Sequence, residues 1–235
     1  MKYKVLQSEP NPKYFSANLY MGIPDRLRSF PMKSQYNINW LTAKYESSEN
    51  LKFLYFWGNT KKTEQIDKSC FSQWYDSPFE VAGTTYKTAE HWMMAQKALL
   101  FNDKKAFDKI VSSQKPGEAK EFGRAILGFD EAKWSENKFE IVKTGNIYKF
   151  SQNAELADYL IKTGDRILVE ASPVDTIWGI GLAQDNPDIN NIYAWRGENL
   201  LGFALMEARD YLINSGDSKP ISDKAIFNFH IRSFE

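Results

Sequence analysis

Three stretches of the chain hold side chains whose types and spacing could do chemistry. The first is Thr88-Ala89-Glu90-His91-Trp92-Met93-Met94-Ala95-Gln96-Lys97. In a helix, Glu90, Met94 and Lys97 fall at i, i+4 and i+7, which puts acid and amine on one face, two turns apart. At a rise of roughly 1.5 Å per residue their backbones stand about 10 Å apart, and long side chains can close on a ligand between them. The same pair suits a solvated helix face. The second stretch is Ser172-Pro173-Val174-Asp175-Thr176-Ile177-Trp178-Gly179-Ile180-Gly181. A carboxylate, an indole and two glycines on one short loop make a pocket wall, with backbone N–H groups able to approach a phosphate and Trp178 able to stack on a base. An ordinary turn with a packed Trp has the same composition. The third is Trp195-Arg196-Gly197-Glu198-Asn199-Leu200-Leu201-Gly202. A helix start preceded by Arg and Gly is a ready anion site, and also a normal capped helix. No phosphate-binding loop of the nucleotide-hydrolase type and no nucleophile elbow around a serine is present. Composition and spacing therefore give a candidate pocket and no reaction.

The elements that must position these residues can be read from the surrounding pattern. Leu51–Trp57 is a dense apolar run suited to a buried strand, and Phe79–Tyr86 suits a short strand pair turning at Gly83. Thr88 is the expected N-cap of a helix over residues 89 to 101. Asn102 or Asp103 starts the next helix, with Ala106, Phe107, Ile110 and Val111 as its buried stripe. Pro116 sits in the first turn of a third, Gly117–Ile126. Asp130 caps a fourth, whose face holds Trp134, Ile141, Val142 and Tyr148. A fifth runs near Ala154–Lys162 and stops at Gly164. Arg166–Ala171 reads as a strand. Gly197 precedes a last helix, 198 to about 213, with Leu201, Leu205, Ala208 and Leu212 inward. The expected fold is α+β and predominantly helical: one compact domain over 51–214 with a few short strands. Residues 1–50, with Pro10, Pro12, Pro24 and Pro31 and no sustained helical period, are expected to be an irregular extension, and 215–235 a polar tail.

The bulk of the sequence narrows the function classes. The chain has 235 residues, 43% hydrophobic and 15% aromatic, enough for one large domain with a sizeable core. Lys plus Arg equals Asp plus Glu, 30 against 30, so the basic excess of a sequence-independent nucleic-acid binder is missing. One cysteine, Cys70, cannot make an internal disulfide and fits a reducing compartment. Two histidines, His91 and His230, cannot build a His- or Cys-rich zinc site. No apolar h-region or long apolar run marks a leader or a membrane span. The expectation is a cytoplasmic protein with no metal and no cofactor, and the sequence is silent on oligomeric state.

Read together, Leu54–Gly58, Cys70–Trp74, Thr88–Lys97, Gly123-Arg124, Trp134, Lys149–Asn153, Leu168–Gly181 and Trp195–Arg209 closely resemble the NADAR family, in family order over roughly residues 51 to 213. That family is named for predicted links to NAD and ADP-ribose chemistry and includes N-glycosidases acting on riboflavin-pathway intermediates. The resemblance implies a largely helical fold and cleavage of a ribosyl C1′–N bond. By match of motif, Glu90, Trp134, Asp175 and Trp178 fall where the family's glycosidases have functional residues. Lys97 falls at the family's active-site lysine, to which a Schiff base is ascribed in members that remove ADP-ribose from guanine. One departure stands out: the family often has Asn in its Phe-Ser-Asn-Phe region, where this chain has Gln73 and Trp74.

On that resemblance, Glu90, Lys97 and Asp175 are the expected catalytic residues. Trp134 and Trp178 are expected to hold base or ribose, with phosphate on backbone N–H groups near Gly179 and Gly197 and on Arg196, and Asn199 among the substrate-binding residues. Glu90 shuttles a proton and activates water, Asp175 orients the ribose hydroxyls or stabilises the charge developing at C1′, and Lys97 attacks ring-opened C1′ to give an imine. A lysine of reference pKa about 10.4 costs roughly 4 to 5 kcal/mol to bring near 7, and an ionised Glu90 beside it opposes that shift. A direct route with Glu90 and Asp175 flanking an oxocarbenium-like centre avoids the conflict. The expected partner is ADP-ribosylated nucleic acid or a phosphorylated ribosyl small molecule. The N-terminal extension tilts the expectation to guanine-linked ADP-ribose over the ribosylamino-pyrimidine phosphates of riboflavin synthesis. An inert ADP-ribose or nucleotide reader is the alternative from another class.

Overall fold

The structure is a computed structural model that describes residues 34–60 and 64–215. Most of the first 50 residues, and the tail from 216, lie outside the described residues. The irregular extension does not hold for its last part. Asn37 accepts the backbone N–H of Trp40 (3.0 Å) and caps helix α1, Ile38–Glu46. Its only buried residue is Leu41, so no amphipathic stripe marks this helix in the sequence. The segment before it is tied down, with Ser34 Oγ and the Gln35 N–H donating to Glu207 (2.8 and 2.6 Å) and the Tyr36 hydroxyl to Asp210 (2.5 Å).

Strand β1, Phe53–Phe56, pairs in parallel with β4, Ile167–Glu170, with Phe53 opposite Ile167 and Phe56 opposite Glu170. A parallel pair needs a crossover, and here all the intervening helices supply it. β1 is shorter than the apolar run, and Trp57 is 58% exposed. β2 (Phe79–Val81) and β3 (Thr84–Tyr86) form an antiparallel hairpin turning at Ala82-Gly83, both at positive φ.

The helices follow their caps. The Thr88 hydroxyl accepts the His91 N–H at the start of α2, Ala89–Leu100. Asp103 accepts Ala106 N–H (3.0 Å) before α3, Lys104–Ser112, and Asp130 accepts Lys133 N–H (2.8 Å) before α5, Glu131–Ser151. Between them α4, Pro116–Arg124, begins one residue earlier than expected and ends two earlier. α6 is Ala154–Ile161 and α7 Leu200–Ser215. Nearly every residue of α2 is buried, which marks a helix surrounded by others: α3, α4 and α5 pack around it. α5 and β4 both pack on α7, whose Gly202 meets the Leu168 carbonyl where a larger residue would collide. The aromatic core runs through Phe79, Tyr86, Trp92 and Tyr148. Among the described residues no helix is long and apolar enough to cross a membrane.

Candidate active site

α2, α4, the loop 72–74, the first turn of α5 and the end of β4 with its following loop open onto one pocket of about 220 Å³. Glu90, Met94 and Lys97 line it from one face of α2, as their spacing requires. Trp134, Asp175 and Trp178 line it too. Five expected residues thus meet, although 88 positions separate Glu90 from Trp178.

Glu90 is the most buried ionisable group of the pocket. It is 2% exposed, its N–H donates to the Gln73 carbonyl (2.9 Å), and one carboxyl oxygen has no hydrogen-bond partner. Burial pushes its pKa up to about 7, Asp175 adds to the rise, and Lys120, Trp74 and Arg124 oppose it. Glu170 is a site residue the sequence reading missed. It ends β4, lines the pocket, and leaves Oε2 without a partner. Burial raises it to about 8, with Asp175 and Glu90 adding and Lys120 opposing. Two carboxyls in one cavity that both resist ionisation will hold at least one proton between them near neutral pH. Asp175 is fixed differently: one oxygen accepts the N–H groups of Ile177 (2.9 Å) and Trp178 (2.8 Å), an Asx turn that aims the loop. Among the described residues no three of His, Cys, Asp and Glu come close enough to hold a metal ion.

Lys97 donates to the Gly123 carbonyl (3.1 Å) at the end of α4, with its ammonium 4.2 Å from the Phe129 ring centre and 5.4 Å from that of Trp134. The acceptor carries the negative end of a helix dipole. Burial lowers the Lys97 pKa, opposed by Glu131 and helped by Arg124. Glu131 rather than Glu90 is the carboxylate that acts on it.

Gly179, Arg196, Gly197 and Asn199 stand outside the lining of this pocket. Gly197 packs on the backbone of Thr176 and Gly179, where a Cβ would collide. A Cβ on Gly179 would lie 2.8 Å from the Glu170 carbonyl and 3.0 Å from that of Asp175. Arg196 is exposed. The Asn199 amide is spent on β4, accepting the Glu170 N–H (3.0 Å) and donating to the Leu168 carbonyl (2.9 Å). Gly179, Gly197 and Asn199 pack behind the wall that holds Glu170 and Asp175 in place. A second buried support is Lys149, 0% exposed, whose ammonium donates to the carbonyls of Cys70 (2.6 Å) and Ser72 (2.8 Å) and anchors the loop that brings Gln73 and Trp74 to the pocket. Burial lowers its pKa to about 7.

Signals for the missed residues were present. Glu170 is the polar end of the apolar run Ile167–Val169, at the carboxyl end of a parallel strand, where ligands of α/β sheets bind. Lys120 and Arg124, which also line the pocket, stand one turn apart around Gly123.

The chain is similar to several known proteins. It is 43% identical over 168 residues to an N-glycosidase of Acanthamoeba polyphaga mimivirus, covering 69% of this chain and 97% of that one. An N-glycosidase of Nostoc punctiforme is 31% identical over 62% of this chain and 86% of its own. Among solved structures, that of the Escherichia coli protein YbiA matches with a TM-score of 0.57 and 28% identity, over 70% of this chain and 87% of that one. The model of the NADAR domain matches residues 55–213, which takes in every pocket residue named above, and the chain belongs to the NADAR family.

Proposed function

We propose that the protein is a hydrolase of N-glycosyl bonds that cleaves C1′–N between a phosphorylated ribose and a base, with guanine-linked ADP-ribose as the substrate to test first. The observation that carries the reading is the pairing of Glu90 and Glu170, two buried carboxyls each with an unpartnered oxygen at one pocket. The relatives named N-glycosidases support the reaction class. In the direct route the protonated carboxyl of Glu170 gives its proton to the leaving base nitrogen as C1′–N breaks. Asp175 faces the positive charge that develops at C1′ and the ring oxygen. Glu90, as carboxylate, takes a proton from the water whose oxygen bonds to C1′, and exchange with solvent resets both groups. The tryptophans Trp134 and Trp178 flank the sugar and base.

The imine route uses Lys97. After the ring opens, neutral Lys97 Nζ bonds to C1′, the base departs with a proton from Glu90 or Glu170, and water returns the aldehyde and the free amine. Burial acts in the required direction on both partners, lowering Lys97 and raising Glu90. Lys97 must first release the Gly123 carbonyl.

A second substrate reading, the ribosylamino-pyrimidine phosphates, is favoured by size. A pocket of about 220 Å³ lies below the usual roughly 300–1,000 Å³ of ligand sites. It suits a ribosyl head group, and the adenosine half of ADP-ribose would lie beyond it. Parallel incubation with guanine-ADP-ribosylated oligonucleotide and with the ribosylamino phosphate separates the two, the cleaved one naming the substrate. Borohydride added during turnover should leave a stable adduct on Lys97 if the imine forms. Product formation with no adduct assigns the direct route.

A further inference from the structure

We propose that Lys120 and Arg124 on α4, with the side-chain amide of Gln73, form an anion subsite that binds the phosphate on the C5′ oxygen of the ribosyl substrate. The identity of that ligand rests on the N-glycosidase reading; the subsite itself rests on geometry. Lys120 and Arg124 are four residues apart, so one helix face carries both to the pocket they line. Gly123 between them lets α4 come close, since a Cβ there would overlap the Met94 side chain. Among the described residues neither cation pairs with a carboxylate, although Glu90 and Glu170 both feel Lys120. Lys120 is held 5.7 Å from the Trp74 ring centre, half-buried, while Arg124 stands exposed at the rim.

Gln73 supplies an independent observation. It is 7% exposed, lines the pocket, and its Nε2 has no acceptor. The orientation is fixed from behind. Asn146 donates to the Val142 carbonyl (2.9 Å), so the same Asn146 nitrogen must face Gln73 Oε1 (3.2 Å), and Gln73 Nε2 is left over. A buried amide N–H without an acceptor costs stability, and an anion oxygen would relieve it.

The pocket carries cations on α4, Lys120 and Arg124, opposite carboxyls on α2 and at the end of β4, with Lys97 as a further cation from α2. A ribosyl phosphate passing through an oxocarbenium-like state is negative at the ester and positive at C1′. Arg196 and Gly197, the expected anion binders, do not line this pocket.

Calorimetric titration of the full chain with ribose 5-phosphate, ADP-ribose and ribose tests the assignment without requiring turnover. Wild type should bind ribose 5-phosphate or ADP-ribose at least tenfold more tightly than ribose. The Lys120→Met/Arg124→Met double variant should lose roughly tenfold or more of that phosphate-dependent affinity, with its thermal unfolding midpoint reading whether the fold is kept. Arg124→Lys, which keeps the charge, should lose less than Arg124→Met. Loss confined to ribose 5-phosphate assigns the subsite to a monoester, and loss shared by ADP-ribose assigns it to a diphosphate. Equal affinity of wild type for ribose and both phosphates overturns the proposal, as does a folded double variant that binds the phosphates like wild type. An inactive protein that still selects phosphate keeps the subsite and removes the glycosidase reading. An active enzyme whose double variant keeps its KM does the reverse.

Discussion

Replacing Glu90 by Gln should remove activity and, above neutral pH, strengthen the fold. In the folded chain burial holds the Glu90 carboxyl at about 7, against 4.5 for an unperturbed glutamate. Below about pH 4 the group is protonated in both folded and unfolded chains, and it contributes no pH-dependent difference. Between 4.5 and about 7 the unfolded chain releases the proton while the folded chain keeps it. The unfolded state then binds fewer protons, so wild-type stability falls as pH rises. The gap from 4.5 to about 7 corresponds to about 3 kcal/mol, all of it lost above the folded pKa. Gln keeps the shape and cannot ionise. Urea unfolding at pH 4, 6 and 8.5, followed by tryptophan fluorescence with the slope checked for constancy, should show the variant gaining on wild type by up to about 3 kcal/mol between the extremes. Its turnover should drop by on the order of a hundredfold or more. A stability difference that does not change with pH, or one that moves against the variant above pH 7, would refute the buried, uncompensated carboxyl on which the mechanism depends.

Other outcomes follow from neighbouring groups. If Glu90 acts ionised and Glu170 protonated, kcat/KM should rise through about pH 7 and fall through about pH 8, and Glu170→Gln should lower the rate and erase the alkaline fall. Lys149, lowered from 10.5 to about 7 in the fold, is protonated in the unfolded chain and neutral in the folded one between those values, so it makes wild-type stability rise with pH there. Lys149→Met should lose that rise in a urea series, be less stable by about 1–3 kcal/mol near pH 9 because two carbonyls lose their donor, and raise KM as Gln73 and Trp74 lose their anchor. Gly123→Ala, which overlaps Met94, should cost about 1–3 kcal/mol in thermal or urea unfolding and weaken substrate binding, since Met94 borders the pocket.

The parts of this molecule legible in the sequence are those governed by local rules. Thr88, Asp103 and Asp130 are caps at the residues where short polar side chains precede periodic runs, and the Glu90, Met94 and Lys97 face follows from helix geometry alone. α1 was hidden because a helix with a single buried residue has no stripe to read. Glu170 and the Lys120–Arg124 pair became site residues only through packing: β4 reaches the pocket because it pairs with a strand more than a hundred residues earlier, and α4 does so because Gly123 admits it against Met94. The anion site expected at Arg196 and Gly197 turns on packing in the same way. Arg-Gly before a helix looks the same whether the helix start is open or, as here, closed by Asn199 on β4 and by Gly197 on Thr176.

Hydrolysis of a ribosyl C1′–N bond at the Glu90 pocket can be read by chromatographic separation of the free base. Purified wild type, Glu90→Gln and Lys97→Ala would each be incubated with the guanine-ADP-ribosylated oligonucleotide and with the ribosylamino-pyrimidine phosphate. Wild type should free the base or the ADP-ribosyl group from one of them, and Glu90→Gln, though folded, should free almost none. Release unchanged in Glu90→Gln would place the chemistry elsewhere, and no release by wild type from either substrate would contradict hydrolysis at this pocket.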